Sequence, residues 1–146
     1  MSNSTKISFE LVPDDDGYPP VGVETLNASR LEENKFRLEN TPFFVSGVAY
    51  GDIVEARQSP SGGYEFVQCL DESGFKSISI ILLSEALDRN LMDTLRGCNA
   101  VIEYGEFNSI RMVAISVPES FDYSNFRVLL NNFESEGLIS YAELAV

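Results

Sequence analysis

Any chemistry in this chain would have to run on carboxylates and two thiols, because its 146 residues include no histidine. That removes the commonest general base, the usual zinc ligand set and every Ser–His or Cys–His nucleophile pair. Cys69 and Cys98 lie far apart with nothing around them that suggests a metal site, and they read as small buried hydrophobes. No Walker A run and no G-x-G-x-x-G occur. Carboxylates alone can support catalysis, as they do in glycosidases. Among 23 Asp and Glu, however, no pair is singled out by its spacing. The chain therefore reads as a non-enzyme, with no catalytic residues, no cofactor and no metal.

The acids are more suggestive as a surface. Asp14-Asp15-Asp16-Gly17 clusters hard ligands of the kind calcium prefers, yet it lacks alternating D-x-D-x-D spacing and a later bidentate Glu. It reads instead as a solvated turn. Beside Tyr18, Pro19 and Pro20 it would form a rigid acidic edge with an aromatic anchor, suited to a basic partner. Asp71 and Glu72 are a second candidate pair, near the junction of the two halves of the chain together with Glu103 and Glu106. Glu134 and Glu136 fall near the end of a predicted helix, where negative charge opposes the macrodipole. The segment Thr41 to Asp52 holds Gly47 and Gly51 among aromatics. It is either a Phe-anchored connection between barrel strands or the wall of a small-ligand pocket. In the second case the pocket would use Phe43, Phe44, Tyr50 and Asp52.

Charge narrows the partners. Twenty-three acids against ten bases give a net charge of −13. Binding to nucleic acid or to an anionic membrane needs a basic face, and Lys6, Lys35, Lys76 and the seven arginines are scattered. A negative field of this size would instead steer a basic protein partner. The N-terminus has no apolar signal-peptide core, and the longest apolar run, Ile80 to Leu83, is far short of a membrane span. The expected location is the cytoplasm.

The elements that must position these residues divide in two. Lys6 to Val12 alternates Ile7, Phe9 and Leu11 against polar residues, the period of a half-buried strand. Further short strands are expected from Val21 to Ser29, Lys35 to Glu39, Asp52 to Ala56 and Tyr64 to Leu70, with turns at Glu32-Glu33-Asn34 and Pro60 to Gly63. This predicts a small antiparallel β-barrel-like subdomain over residues 1–75. From there the rhythm changes. A strand over Ser77 to Leu83 precedes a helix capped by Ser84, carrying Leu87, Leu91, Met92 and Leu95 and stopped at Gly97. Strands Ala100 to Phe107 and Ile110 to Val117 meet at Asn108-Ser109. A second helix capped by Asp122 carries Phe126, Leu129, Leu130 and Phe133 to Gly137, and Leu138 to Val146 returns as a strand. The order β-α-β-β-α-β predicts a ferredoxin-like α+β subdomain over residues 76–146.

Several runs resemble one bacterial family, the domain of unknown function 4265. They are Phe9 to Leu11, Asp16 to Glu24, Phe36 to Asn40, Pro42 to Phe44 and Ala49 to Val54. The tail contributes Ala114 to Pro118, Asp122-Tyr123 and Glu136-Gly137. Members often carry an aromatic residue shortly after the Val-Glu pair, where this chain has Thr25-Leu26-Asn27. The resemblance implies a bacterial source and brings no catalytic residues. Small acidic bacterial proteins of this kind recur as immunity proteins against toxins of contact-dependent growth inhibition and similar systems. The expectation is an immunity protein that neutralises a basic, nuclease-type toxin domain through Asp14, Asp15, Asp16, Tyr18, Asp71 and Glu72. A ligand-binding or regulatory module is the alternative.

Overall fold

The computed structural model describes residues 4–84 and 89–146 of the chain. The first five strands are β1 (Ser4–Glu10), β2 (Val23–Glu32), β3 (Lys35–Leu38), β4 (Ile53–Gln58) and β5 (Tyr64–Asp71). They close into a barrel in sequence order. Period-two patterning turns Ile7, Phe9, Leu26, Ala28, Phe36, Leu38, Val54 and Ala56 into one buried cluster, as alternation on a pleated strand requires. The expected antiparallel barrel has one exception. β1 and β5 pair parallel, because five strands alternating in direction leave the first and last pointing the same way. Register shifts between Ile53 and Val54 and between Glu55 and Ala56 add the local bend that helps a narrow sheet curl shut.

The remaining elements are β6 (Lys76–Leu82), α1 (Arg89–Arg96), β7 (Val101–Phe107), β8 (Ile110–Val117), α2 (Tyr123–Ser135) and β9 (Ile139–Ala145). The strands form a second sheet in the order β7-β8-β6-β9, antiparallel at every neighbour. The chain is thus a mostly β member of the α+β class. The start of the first helix, with Leu87, was expected just after Ser84 and falls on residues 85–88, outside the described residues. The helix ends at Arg96, directly before Gly97, as expected. The left-handed residue of the turn that follows is Asn99 (φ 64°). Asn tolerates that conformation better than other side-chain-bearing residues. The end of α2 follows the glycine rule: Gly137 has φ 76°, its N–H donates to the Glu134 carbonyl, and the Leu138 N–H donates to the Phe133 carbonyl. That is a Schellman cap. Asp122 caps the other end, accepting the Asn125 N–H at 3.3 Å. Asn108 and Ser109, both at positive φ, make the two-residue β7–β8 turn whose twist matches its strands.

The two central strands of the second sheet, β6 and β8, are buried on both sides. Ile78, Ile80, Val113, Ile115 and Ile139 pack with Leu95, Phe126 and Leu130 into one core. On the opposite face Ser77, Ser79, Ala114 and Ser116 are at most 2% exposed. Residues this small let backbone approach closely, and the Ser116 and Thr41 hydroxyls meet at 2.5 Å. The segment between β3 and β4 therefore lies against this face. Truncating the fully buried Leu130 to alanine is expected to reduce stability by about 3 kcal/mol, and Asp122→Ala by about 1 kcal/mol. Urea unfolding with unchanged slope is the check.

Candidate functional site

The β3–β4 connection supplies a run of backbone N–H groups that no strand takes up, and buried donors must find acceptors. Carboxylates from both sheets provide them. Glu24 of β2, 8% exposed, accepts the Phe43 N–H at 2.6 Å, the Phe44 N–H at 3.0 Å and the Val45 N–H at 2.9 Å. Glu103 of β7 accepts the Thr41 N–H at 2.6 Å and the Asn40 amide at 3.1 Å. Asn40 in turn accepts the Asn27 N–H at 2.7 Å. Asp52, 3% exposed, accepts the Ala49 and Ser73 N–H groups, both at 2.9 Å. The phenyl rings finish the anchoring: Phe107 stands edge-on to Phe43 at 5.1 Å and to Phe44 at 4.9 Å. A Cβ on Gly105 would come within 2.9 Å of Phe107 and 3.0 Å of Phe43, so a side chain there would push these rings from their present places.

The geometry favours the connection over the pocket for Thr41 to Asp52. Phe44 lines an open hollow of about 900 Å³ beside β1 and β5. Asp52 lines a different hollow of about 530 Å³, and Tyr50 packs edge-on against Phe75 at 5.3 Å. The four residues offered for one small-ligand pocket do not come together in either of these two hollows.

The predicted partner-facing acids are also divided. Asp14, Asp15 and Asp16 are exposed in the β1–β2 loop. The Asp14 carboxylate shapes that loop by accepting the Asp16 and Tyr18 N–H groups at 3.0 Å each. Tyr18 is only partly exposed and stands edge-on to Phe44 at 5.8 Å. Burial, aided by the charge of Glu24, pushes its phenol up from the ordinary value. It braces the loop from within. Asp71 and Glu72 are exposed at the far end of β5, and Glu72 lines the smaller hollow with Asp52, Glu119 and Glu143. Asp14, Asp15 and Asp16 line neither hollow.

One polar cluster escaped the sequence reading. The Tyr123 hydroxyl donates to Glu143 at 2.5 Å, and Arg127 donates to the same oxygen through Nε at 3.0 Å and Nη2 at 2.6 Å. The guanidinium also lies 5.0 Å from the Tyr123 ring centre. The available signal was the i, i+4 spacing of Tyr123 and Arg127 on one helix face; their target 16 residues beyond Arg127 had none. Burial, then the Glu143 carboxylate, pushes the Tyr123 phenol far up. Burial would also raise Glu143, but the Tyr123 hydroxyl and the Arg127 guanidinium outweigh it and hold the carboxyl below its usual value. The Cys69 thiol is pushed up by burial and by Asp52, which disfavours the reactive thiolate. Among the described residues no group of three His, Cys, Asp or Glu is placed to hold a metal, and no helix is long and apolar enough to cross a membrane.

Two measurements check this account. Glu24→Ala strands three backbone donors and is expected to cost about 3 kcal/mol in urea unfolding. Glu24→Gln should not restore the loss fully, because its amide turns donors toward donors. Because Glu143 titrates lower in the folded chain than in the unfolded one, its stabilisation is fully present above the unfolded carboxylate value and is lost as pH falls through the folded one. Arg127→Met should raise the Glu143 titration midpoint seen by NMR and move acid unfolding to higher pH.

Comparison with known proteins bears on the whole assembly. The family described as Domain of unknown function (DUF4265) matches residues 24–141. No curated protein matches the chain. Among solved structures it is similar to one described as a novel crystal structure of a hypothetical protein from Neisseria gonorrhoeae. The identity is 19%, the coverage 99% of this chain and 95% of that one, and the TM-score 0.82. At that identity the likeness is one of fold. The matched span opens at Glu24 and includes Asn40 to Phe44, Tyr50 to Asp52 and Glu103, so the pinned connection lies wholly within it, and the chain belongs to the family of the domain of unknown function 4265.

Proposed function

We propose that this protein works by binding, as an immunity protein that neutralises a basic, nuclease-type toxin domain in the bacterial cytoplasm. One observation carries the reading: a net charge of −13 that the fold leaves largely on its surface. Glu24, Asp52 and Glu103 are occupied inside the chain. Of the other acids, Asp14, Asp15, Asp16, Asp71, Glu72, Glu106, Glu119 and Glu136 are exposed. Four ion pairs are formed among the described residues, and none uses these eight. A nuclease must hold phosphates in a positive cleft, and an acidic protein surface can occupy such a cleft in place of substrate.

We read the second sheet, in finer terms, as ferredoxin-like. Its order β9-β6-β8-β7, with each helix crossing between parallel strands one place apart, supports that description. The small-ligand alternative would use the larger hollow, whose lining includes Phe44.

The test is an affinity pull-down from the native bacterium at low and moderate salt. Retention of one basic partner in near-stoichiometric amount supports the reading, and recovery of nothing above background overturns it. With that partner in hand, Asp14→Lys, Asp15→Lys and Asp16→Lys together should slow association by about tenfold or more at low salt and flatten its salt dependence. An unchanged association rate removes this face from the interface.

A further inference from the structure

The barrel seam ends early. β1 and β5 share two register pairs, Ile7 with Tyr64 and Ser8 with Glu65, whereas β1 remains paired with β2 as far as Glu10. The Leu11 N–H then still reaches the Gly22 carbonyl at 2.9 Å. Successive N–H groups of an extended strand point to opposite edges, so a Leu11 bond toward β2 turns the Glu10 N–H toward the side that β5 has left. The hollow of about 900 Å³ opens there, lined by β1 and its continuation from Ser8 to Val12 and by Tyr64 to Phe66 of β5. Val12 and Val23 on its lining are 89% and 52% exposed.

The β9 edge of the second sheet is partly covered. On β9 the Tyr141 N–H donates to the Glu134 carboxylate at 3.1 Å, and the Leu144 carbonyl accepts the Gly47 N–H at 2.9 Å. Blocking an edge in this way prevents pairing with another chain. The β1 edge has no such cover and has apolar side chains beside it. Its charge is one-sided: Glu10 lies on the edge, Asp14, Asp15 and Asp16 follow directly in the chain, and Arg57 on the far wall is already paired with Glu65 at 3.5 Å.

We propose that the split seam is a peptide groove, in which an extended basic segment of a partner protein adds as a strand to the free edge of β1. Its apolar side chains cover Val12 and Val23, and its lysines or arginines face Glu10, with the field of Asp14, Asp15 and Asp16 just beyond the hollow. Strand addition of this type draws affinity from main-chain hydrogen bonds and selectivity from alternate side chains. A second copy of this chain is the less favoured occupant, since each brings a charge of −13. The proposal rests on the binding reading above and gives it a mode.

The test uses the full chain and an acetylated, amidated hexapeptide alternating lysine and valine, with the same hexapeptide N-methylated at its valines as control. The plain peptide is expected to slow amide hydrogen exchange at residues 9–12 by about tenfold, and the methylated one to leave it unchanged. Equal behaviour of the two peptides reduces the effect to charge attraction and overturns the groove, as does failure of the plain peptide to bind. Protection that grows with protein concentration without peptide assigns the edge to a second copy and overturns it too. Val12→Lys, at an exposed position that leaves the core intact, should weaken a partner recovered by pull-down by about tenfold, near 1.4 kcal/mol. If that partner binds the variant as tightly as the native chain, the immunity reading stands and the groove falls. If no partner is recovered, the immunity reading falls and the hexapeptide alone decides the groove.

Discussion

A single carboxylate receiving three consecutive backbone N–H groups is the interaction on which the rest of this fold leans. Glu24 stands on β2 inside the angle between the barrel and the second sheet, and Phe43, Phe44 and Val45 turn their amides onto it. A segment without strand partners cannot be buried unless its donors are met. With Glu24 in place the phenyl rings of Phe43 and Phe44 can be carried to Phe107. Thr41 can meanwhile be pressed against the small-residue face of the second sheet. Glu103 and Asp52 repeat the same solution at either end. The strongly acidic composition thus has two roles that burial separates. A few carboxylates organise backbone, and the remainder set the field outside.

Much of the architecture was legible because it is local. Alternation fixed the inward set Ile7 and Phe9, the cap at Asp122 and the turn at Asn108-Ser109 follow from short-range chemistry, and the strand–helix order survives small errors in boundaries. The stop after α1 was legible in the same way, at Gly97, whereas the left-handed turn residue Asn99 carried no such signal. The parallel β1–β5 closure was hidden for a different reason, since it follows from counting strands around a ring and not from any residue in them.

The candidate site was much less legible. Nothing in the spelling of Glu24 tells that its acceptors are needed 19 residues away, or that Glu103 serves a backbone amide 62 residues earlier. A buried carboxylate and an exposed one look alike until the fold is known. Conversely, Asp14, Asp15 and Asp16 are exposed as a solvated turn should be, and Tyr18, offered as an aromatic anchor, is half-buried with its ring edge-on to Phe44.

The connection between β3 and β4 belongs to neither sheet and is fastened to both. Its amides are held by Glu24 from the barrel and by Glu103 from the second sheet, and Gly47 reaches the β9 backbone. Opening either hydrophobic core would therefore strand donors or acceptors that the other core depends on. The two cores are thereby expected to unfold together: heat should take the molecule apart in one transition, without a stage at which a folded barrel carries a melted sheet.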